Sequence, residues 1–381
     1  METQKKIGIA VIGCGGRSRG VVKNLFRDSN RQIEVLSVYD PIDSIIDRAF
    51  EEWQIDGSNT LRATSADEAI NTTGVEWVMV FSPNAFHKEH ILSAFKAGKH
   101  VFSEKPLATK IEDCQAIFEA HKKTDLLFAT GFVLRYAPIY RKIKDLLTSG
   151  KFGKLLSIEG NENIPPFHGG YIMANWRRKS EISGPHILEK CCHDLDLINW
   201  FCESLPSKVS AFGSKKVFMA ENKFMEEKYG KEAFAVWGGH NQIDSSFNDD
   251  NDMIDTQMGI ALYRNGVQVS FCATMCNAIP ERRMRFNCME GTIIADLYSK
   301  QLICKKIGEE ATTVYNFNGD GHGGGDDHIM KELFDSMQNG VLPKCSGQEG
   351  LDSAVFALAL DEAMCKEKIV DLEPIWKKLN R

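Results

Sequence analysis

The run Ile7-Gly8-Ile9-Ala10-Val11-Ile12 passes straight into Gly13-Cys14-Gly15-Gly16-Arg17-Ser18-Arg19-Gly20, after which Val21, Val22, Leu25 and Phe26 recur at helical spacing. A nearly all-apolar strand is expected of a parallel sheet buried on both faces. A glycine turn that leaves such a strand and opens a helix lets backbone N–H groups approach a pyrophosphate. The helix N-terminus favours the negative charge. Gly13, Gly15, Gly16, Arg17 and Ser18 are therefore candidate cofactor-binding residues. Ser18 stands at the third fingerprint position in place of Gly or Ala, which loosens helix–strand packing slightly.

The turn alone is not specific, and the residues after it decide. Ile33 to Tyr39 reads as a second strand ending at Asp40, about twenty residues beyond the glycines. A carboxylate there accepts hydrogen bonds from the ribose hydroxyls and repels a 2′-phosphate, which favours NAD over NADP. Asp40-Pro41 also simply opens the next helix, whose apolar face is Ile42, Ile45, Ile46, Ala49, Phe50 and Trp53. Arg17 and Arg19 keep NADP open, since a guanidinium accepts a phosphate. Val75 to Phe81 is a further strand, followed by Ser82-Pro83-Asn84 and a helix from Ala85 to Ala97 that ends at Gly98. His87 sits on its first turn, where it meets a cofactor or is simply solvated. His100 to Ser103 runs into Glu104-Lys105-Pro106, Thr109 with Glu112 predicts a capping box for a helix ending near Lys122, and Leu126 to Thr130 closes the series. Strand and helix alternate throughout, so residues 1–130 are expected to form a doubly wound parallel sheet that binds NAD(P).

Around Gly131 the pattern changes. Phe132-Val133-Leu134-Arg135-Tyr136 leads into a helix ending near Ser149-Gly150, and strand Leu155 to Glu159 follows. Gln257 to Tyr263 and Val267 to Met275 flank Asn265-Gly266, a hairpin signal. Arg283 to Met289, Thr292 to Leu297, Leu302 to Ile307 and Thr312 to Phe317 continue as a meander. Residues 131–381 are thus expected to form an α+β domain on a large, open, mostly antiparallel sheet covered by helices. It would bind substrate and carry the oligomer contact. Residues 214–256, with Trp237-Gly238-Gly239-His240 and Asp249-Asp250, read as a surface insertion in preference to a lid or oligomer contact. Two tail helices are expected, Asp326 to Met337 and Glu349 to Lys366.

Bulk properties exclude several classes. A chain of 381 residues exceeds one ordinary core, and a formal net charge of -6 does not fit a phosphate-backbone partner. No apolar run reaches the length of a membrane span. Lys5-Lys6 before the apolar strand mimics a signal peptide, but that run is short and enters the glycine turn at once. The 11 cysteines are scattered without a Cys-x-x-Cys pair, as in proteins of a reducing compartment, and the cytoplasm is the expected location. Cys191-Cys192 beside His193 does not make a zinc site, because adjacent helical side chains diverge by about 100°. No metal is expected.

Two groups of residues carry chemistry. On a helix expected from about Ile187 to Phe201, Leu188, Cys192, Leu195 and Cys202 make the buried stripe. Glu189, His193 and Asp196 share the opposite face at i, i+4, i+7. An imidazole with carboxylates to orient it suits proton transfer, while the same spacing also fits an ordinary solvated face. Lys105 follows a buried strand and is pinned by Pro106, a restricted place for a residue packing rarely needs. Beside a nicotinamide it would bind a substrate hydroxyl and stabilise the alkoxide developing during hydride transfer.

On these residues the chain resembles the glucose–fructose oxidoreductase and inositol dehydrogenase family (Gfo/Idh/MocA). The matching residues are Gly13 to Arg17, Phe81 to Asn84 with His87, Gly98-Lys99-His100-Val101 running into Glu104-Lys105-Pro106, and Gly184 with Glu189 to Asp196. The resemblance implies a Rossmann domain, a C-terminal open-sheet domain and NAD(P)-linked chemistry on sugars or cyclitols. It implies Lys105 and His193 as the catalytic pair with Glu189 assisting, a cis Lys105–Pro106 peptide, and a homodimer or homotetramer paired through the sheets. Ser82, Asn84, His87, Glu104, Lys105, Trp176 and Arg177 would join the cofactor site. Lys105, Arg135, His193, Asp196 and His322 would bind substrate. The family usually has Asp where this chain has Glu189, and Lys190 adds a second ammonium. Gly321-His322-Gly323-Gly324-Gly325-Asp326 and Asn175-Trp176-Arg177 resemble a subset in which some members cleave glycosides by transient oxidation with retained NAD. That is the alternative reading.

Overall fold

The computed structural model describes residues 6–234, 242–319 and 321–381. They gather into two compact units, Met1–Tyr136 with Gly325–Leu351, and Ala137–Gly324 with Asp352–Arg381.

The first unit is a doubly wound sheet. Its strands are β1 (Ile7–Ile12), β2 (Ile33–Tyr39), β3 (Leu61–Arg62), β4 (Val75–Val80), β5 (His100–Ser103) and β6 (Phe128–Thr130), with α1 (Gly16–Asp28), α2 (Asp43–Trp53), α3 (Ala66–Ile70), α4 (His87–Lys96) and α5 (Ile111–His121) between them. All pairings are parallel, in the order β3-β2-β1-β4-β5-β6. The chain winds outward in both directions from β1, which makes its carboxyl end the switch point where such sheets bind ligands. Packing follows the apolar periods: Val21, Val22, Leu25 and Phe26 bury one face of α1, and Ile46, Ala49, Phe50 and Trp53 one face of α2. The expected capping box is not formed. α5 starts at Ile111 with Lys110 at the N-cap and no side-chain cap bond.

The expected division at residue 130 falls near the first crossing, after Tyr136, but the tail does not all belong to the second unit. The reason is electrostatic and local. Asp326 meets Arg17 at 2.6 Å, Asp327 meets Arg27 at 2.8 Å, and Thr130 donates its N–H to the Cys345 carbonyl at 3.0 Å.

The second unit opens with α6 (Pro138–Thr148), β7 (Leu155–Asn163) and α7 (Pro166–Ala174). Next come three helices, α8 (Ser180–Ser183), α9 (His186–Glu189) and α10 (Cys192–Cys202). The chain continues through β8 (Pro206–Ser214), α11 (Phe224–Tyr229), β9 (Thr256–Tyr263), β10 (Gln268–Thr274), β11 (Arg283–Cys288), β12 (Gly291–Asp296), β13 (Gln301–Lys306) and β14 (Thr313–Asn316). The tail is α12 (Gly325–Asn339), α13 (Gly347–Lys366), β15 (Val370–Asp371) and α14 (Glu373–Lys378), of which α12 lies in the first unit. The nine-stranded sheet runs β14-β13-β12-β11-β7-β10-β9-β8-β15 and is antiparallel except where β7 meets β10. Gly266 supplies the positive φ of +87° that the β9–β10 hairpin needs. Helices cover one face. A Cβ on Gly160 would sit 3.7 Å from Ile198 of α10, Phe201 meets Phe286 edge-on at 5.1 Å, and Phe356 of α13 meets Tyr263 at 6.0 Å.

The insertion packs into a core that it shares with α7 and the ends of β7 and β10. Phe218, Phe234, Phe247 and Met253 bury themselves against Ile164, Ile172, Met173 and Met275. Asp255, itself buried, accepts hydrogen bonds from the backbone N–H groups of Lys216, Val217 and Phe218 at 3.0, 2.7 and 3.0 Å. Its acidic run grips the segment after α7: Asp250 pairs with Arg178 and Lys179, and Asp252 takes the Ser180 N–H at 2.8 Å. The described part is therefore a packed subdomain rather than a loose surface loop. Trp237 to His240 lie outside the described residues. Replacing Asp255 with Ala leaves three backbone N–H groups without their carboxylate. It is expected to cost about 3 kcal/mol and to speed proteolytic cleavage within 214–256. Scanning calorimetry with timed proteolysis checks this, and an unchanged cleavage rate refutes it.

Candidate active site

In the first unit the predicted residues converge at the carboxyl ends of β1, β4 and β5. Gly13 is required there: its φ is +89°, and a Cβ would lie 2.7 Å from the Phe81 carbonyl carbon. Gly15 caps α1 with no side-chain bond, no acidic residue occupies the first turn, and a Cβ on Gly15 would meet nothing within 4 Å. That is a cradle of helix N–H groups which backbone can share with a diphosphate. Ser18 is buried and turns its hydroxyl back onto the Gly15 carbonyl at 2.8 Å. Asp40 takes the Cys14 N–H at 2.9 Å and the Ile42 N–H at 3.1 Å, one on each oxygen. Each oxygen keeps a second lone-pair direction for a ribose hydroxyl. The residues therefore fit a dinucleotide.

Of Arg17 and Arg19, which kept NADP open, Arg17 is committed to carboxylates and Arg19 has only an ion-pair contact with the part-exposed Glu52. Arg17 reaches Glu104 and Asp326, both at 2.6 Å, and Arg19 reaches Glu52 at 2.9 Å. Burial works against the Arg17 charge, but the two carboxylates outweigh it and raise its pKa. Glu104 also takes the Lys105 N–H at 3.1 Å, so it holds the corner together. The Lys105–Pro106 peptide is cis, and Lys105 is half-buried. His87 is not solvated. It is buried with one ring nitrogen 2.8 Å from the Pro106 carbonyl and the other 2.8 Å from the Ser82 carbonyl, which clasps the two loops. The Ser82 hydroxyl lies 2.9 Å from His90 Nδ1, Asn84 is buried, and Arg135 is half-buried at the end of the unit.

In the second unit the expected single helix is two, broken at Lys190-Cys191. The polar face is not solvated either: Glu189, His193, Asp194 and Asp196 are 6%, 3%, 0% and 1% exposed. Glu189 pairs with Arg177 at 2.8 Å, and Arg177 also donates to the Tyr171 hydroxyl at 2.8 Å while its guanidinium lies 4.2 Å from the Trp176 ring centre. Trp176 and Arg177 thus stand with Glu189 in this unit. The His193 and His322 rings are 6.0 Å apart. Among the described residues no group of three or more His, Cys, Asp or Glu is arranged to hold a metal.

The sequence reading missed a buried ion network beside this site. Arg282 Nε lies 2.7 Å from Glu162 and 2.8 Å from Asp194, its Nη2 lies 2.6 Å from Asp194, and Lys190 Nζ lies 3.2 Å from Glu162. Burial pushes the Asp194 carboxyl up to about 6, with the Arg282 guanidinium opposing it. One signal was present: Glu162 is a charge at an inward position of β7, inside the polar run Gly160 to Asn163.

A parallel sheet with a glycine turn at its switch point, in one chain with a large open sheet, defines a two-domain dinucleotide-binding protein. Residues 7–132 match the oxidoreductase-family model for an NAD-binding Rossmann fold, and residues 144–372 match the model for that family's C-terminal α/β domain. The chain belongs to this family of oxidoreductases, Gfo/Idh/MocA. It is 22% identical to YteT of Bacillus subtilis (strain 168), assigned as an oxidoreductase, over 82% of this chain and 83% of that one. It is 31% identical to inositol 2-dehydrogenase 3 of Saccharopolyspora erythraea over 52% of this chain and 54% of the relative. With most of the curated relatives the chain aligns over about half their length. Its fold is that of levoglucosan dehydrogenase solved with NADH and levoglucosan, with a TM-score of 0.80, 17% identity and coverage of 97% of this chain and 100% of that one.

Three histidines, His87 and His90 buried and His168 half-buried, make stability depend on pH. Burial lowers the pKa of His87, that of His90 to about 4, and, with help from Lys190, that of His168 to about 2. Below about 6.5, the ordinary value, the unfolded chain binds protons that the folded rings refuse. Stability is full above that pH and falls as pH drops toward 4, by up to about 1.4 kcal/mol per pH unit for each ring. Thermal midpoints measured from pH 7.5 to 5 are expected to fall, and His90→Gln to flatten the slope. Parallel slopes in parent and variant remove His90 from this account.

Proposed function

We propose that this protein is an NAD-dependent oxidoreductase acting on a secondary hydroxyl of a sugar, sugar derivative or cyclitol. What carries the reading is the match to both domains of the family in a chain that keeps Lys105 and His193. The named relatives include an inositol dehydrogenase and a levoglucosan dehydrogenase, and they do not favour the glycoside-cleaving alternative. NAD, held by Gly13, Gly15, Gly16 and Asp40, supplies the hydride acceptor when bound. Ser18, Arg17, Glu104, Ser82, Asn84 and His87 shape and hold that corner.

Lys105 donates to the reacting hydroxyl and stabilises the oxygen as negative charge develops on it. His193 takes the hydroxyl proton, Glu189 and Asp196 order its surroundings, and His322 and Arg135 bind further hydroxyls. Asp40 at the end of β2 and the commitment of Arg17 to Glu104 and Asp326 support NAD over NADP, since a 2′-phosphate needs an available guanidinium and is repelled by a carboxylate. The cytoplasm is the compartment we infer, because all eleven cysteines are free thiols. Among the described residues no helix is long and apolar enough to cross a membrane.

Incubating the protein with NAD and a panel of sugars and cyclitols while following absorbance near 340 nm tests the reading. One or more panel members should be oxidised, and His193→Ala should cut turnover about 100-fold or more with NAD affinity little changed. Full turnover in His193→Ala removes it from proton transfer.

We also infer a homo-oligomer paired through the uncovered sheet face. Phe212 and Met258 lie directly opposite each other on β8 and β9, 75% and 62% exposed, with Ile260 and Leu262 continuing the patch. A patch of four large apolar side chains on a flat sheet is the kind of surface that association buries. Light scattering on a sizing column should give a dimer or tetramer, and Met258→Lys with Ile260→Lys should shift it to monomer. A monomeric parent refutes the inference.

A further inference from the structure

Lys190 occupies the break between α9 and α10 and carries a charge into a largely buried region. Of the four charged groups in its network, Arg282 keeps 2% of its side chain exposed and Glu162 and Asp194 none, whereas Lys190 keeps 14%. Arg282 donates two hydrogen bonds to Asp194, while Glu162, whose buried oxygens accept no hydrogen bond, has Arg282 and Lys190 as ion-pair partners. Lys190 is thus the second counter-charge of the network and its most exposed member. Its ammonium has three donors, and Glu162 lies 3.2 Å from it as an ion-pair partner.

The surroundings are polar and ordered. His168 of α7 lies within the field of Lys190, Glu189, His186 and Arg177, and burial with the Lys190 ammonium keeps its ring neutral. Glu189, the neighbour of Lys190 in sequence, is fixed by Arg177, which also donates to the Tyr171 hydroxyl. Two cations against two carboxylates leave the Lys190 network without net charge. Such a pair offers N–H donors but no surplus charge, which suits an uncharged hydroxyl better than a carboxylate or phosphate.

We propose that Lys190, held in place by Glu162, is a substrate-binding and specificity-determining residue whose ammonium donates to a hydroxyl of an uncharged sugar or cyclitol. Glu162 is its positioning residue. This rests on the functional reading above and assigns a role to a side chain that the Lys105 and His193 assignments leave unused.

The test is titration calorimetry on NADH-loaded protein with myo-inositol, D-glucose, levoglucosan and D-glucuronate, followed by single-hydroxyl deoxy analogues of whichever neutral compound binds. Lys190→Met, which keeps the chain length, should weaken the neutral ligand about 10- to 100-fold, the worth of a hydrogen bond to a charged donor. NADH affinity should not change. One deoxy analogue should bind parent and Lys190→Met alike, because the lost hydroxyl is the one Lys190 holds. A purely structural role would weaken all analogues in proportion. Lys190→Arg, which keeps the charge, should remain folded and reorder the panel, and it serves if Lys190→Met does not fold.

Equal binding by parent and Lys190→Met overturns the proposal, as does a parent that prefers glucuronate or binds none of the panel. A parent that binds a neutral sugar without oxidising it sinks the oxidoreductase reading while leaving Lys190 decided by the same titrations.

Discussion

The guanidinium of Arg17 ties together three pieces of chain that are far apart in sequence. It leaves the glycine turn at the start of α1, pairs with Glu104 at the end of β5, and pairs again with Asp326 at the start of α12, both at 2.6 Å. Each partner has a further duty. Glu104 takes the Lys105 N–H, so the lysine corner and the glycine turn are fixed to the same carboxylate. It also fills the space over Gly131, where a Cβ would lie 2.8 Å from its oxygen. Asp326 draws α12 into the first unit, which is why the unit includes a stretch some two hundred residues beyond its last strand, a separation chain entropy tolerates because loop closure grows only slowly with length. Loss of this one cation would leave two largely buried carboxylates facing each other, the situation in which removing a partner is most damaging.

The second unit solves a different problem. α10 is buried almost all round, so its acidic residues and histidine cannot rely on water. The sheet beneath supplies the counter-charge: Arg282, just before β11, pairs with Asp194 and with Glu162 of β7. The break at Lys190-Cys191 belongs to the same solution. A straight helix would carry Lys190 at a fixed 100° step from Glu189, whereas the break lets Glu189 meet Arg177 and Lys190 meet Glu162.

The sequence made the architecture legible because the signals there are repetitive. Apolar strands, glycine exits and helical periods recur through the first unit, and Asn265-Gly266 marks the hairpin that begins the meander. What it did not show was burial. Glu189, His193 and Asp196 have the spacing of a solvated face, and only the packing reveals that their face is covered. His87 was placed on a first turn correctly, but its two backbone carbonyl partners come from other loops, which local pattern cannot report. The contact of α12 with the first unit was hidden for the same reason: Asp326 reads as a helix start, and nothing near it announces Arg17. The insertion read as a surface one because its apolar residues are spaced for a small core shared with Ile164, α7 and Met275 rather than for a regular face.

The pairing of charges bears on what the second unit accepts. Among the described residues Arg177 is matched by Glu189, Arg282 by Asp194 and Glu162, Lys190 by Glu162, and Arg178 and Lys179 by Asp250. An anionic substrate that recruited Arg177, Arg282 or Lys190 would take it from a carboxylate that is already desolvated, leaving that carboxylate buried without its partner. The penalty for such an exchange is several kcal/mol, more than a single surface-like ion pair returns. A neutral polyol meets no such obstacle, since it can share donors without displacing their anions. The longer side chain of Glu189, in place of the family's usual Asp, follows the same logic: its extra methylene lets the carboxylate reach Arg177, itself stacked on Trp176, and closes the last cation of the set.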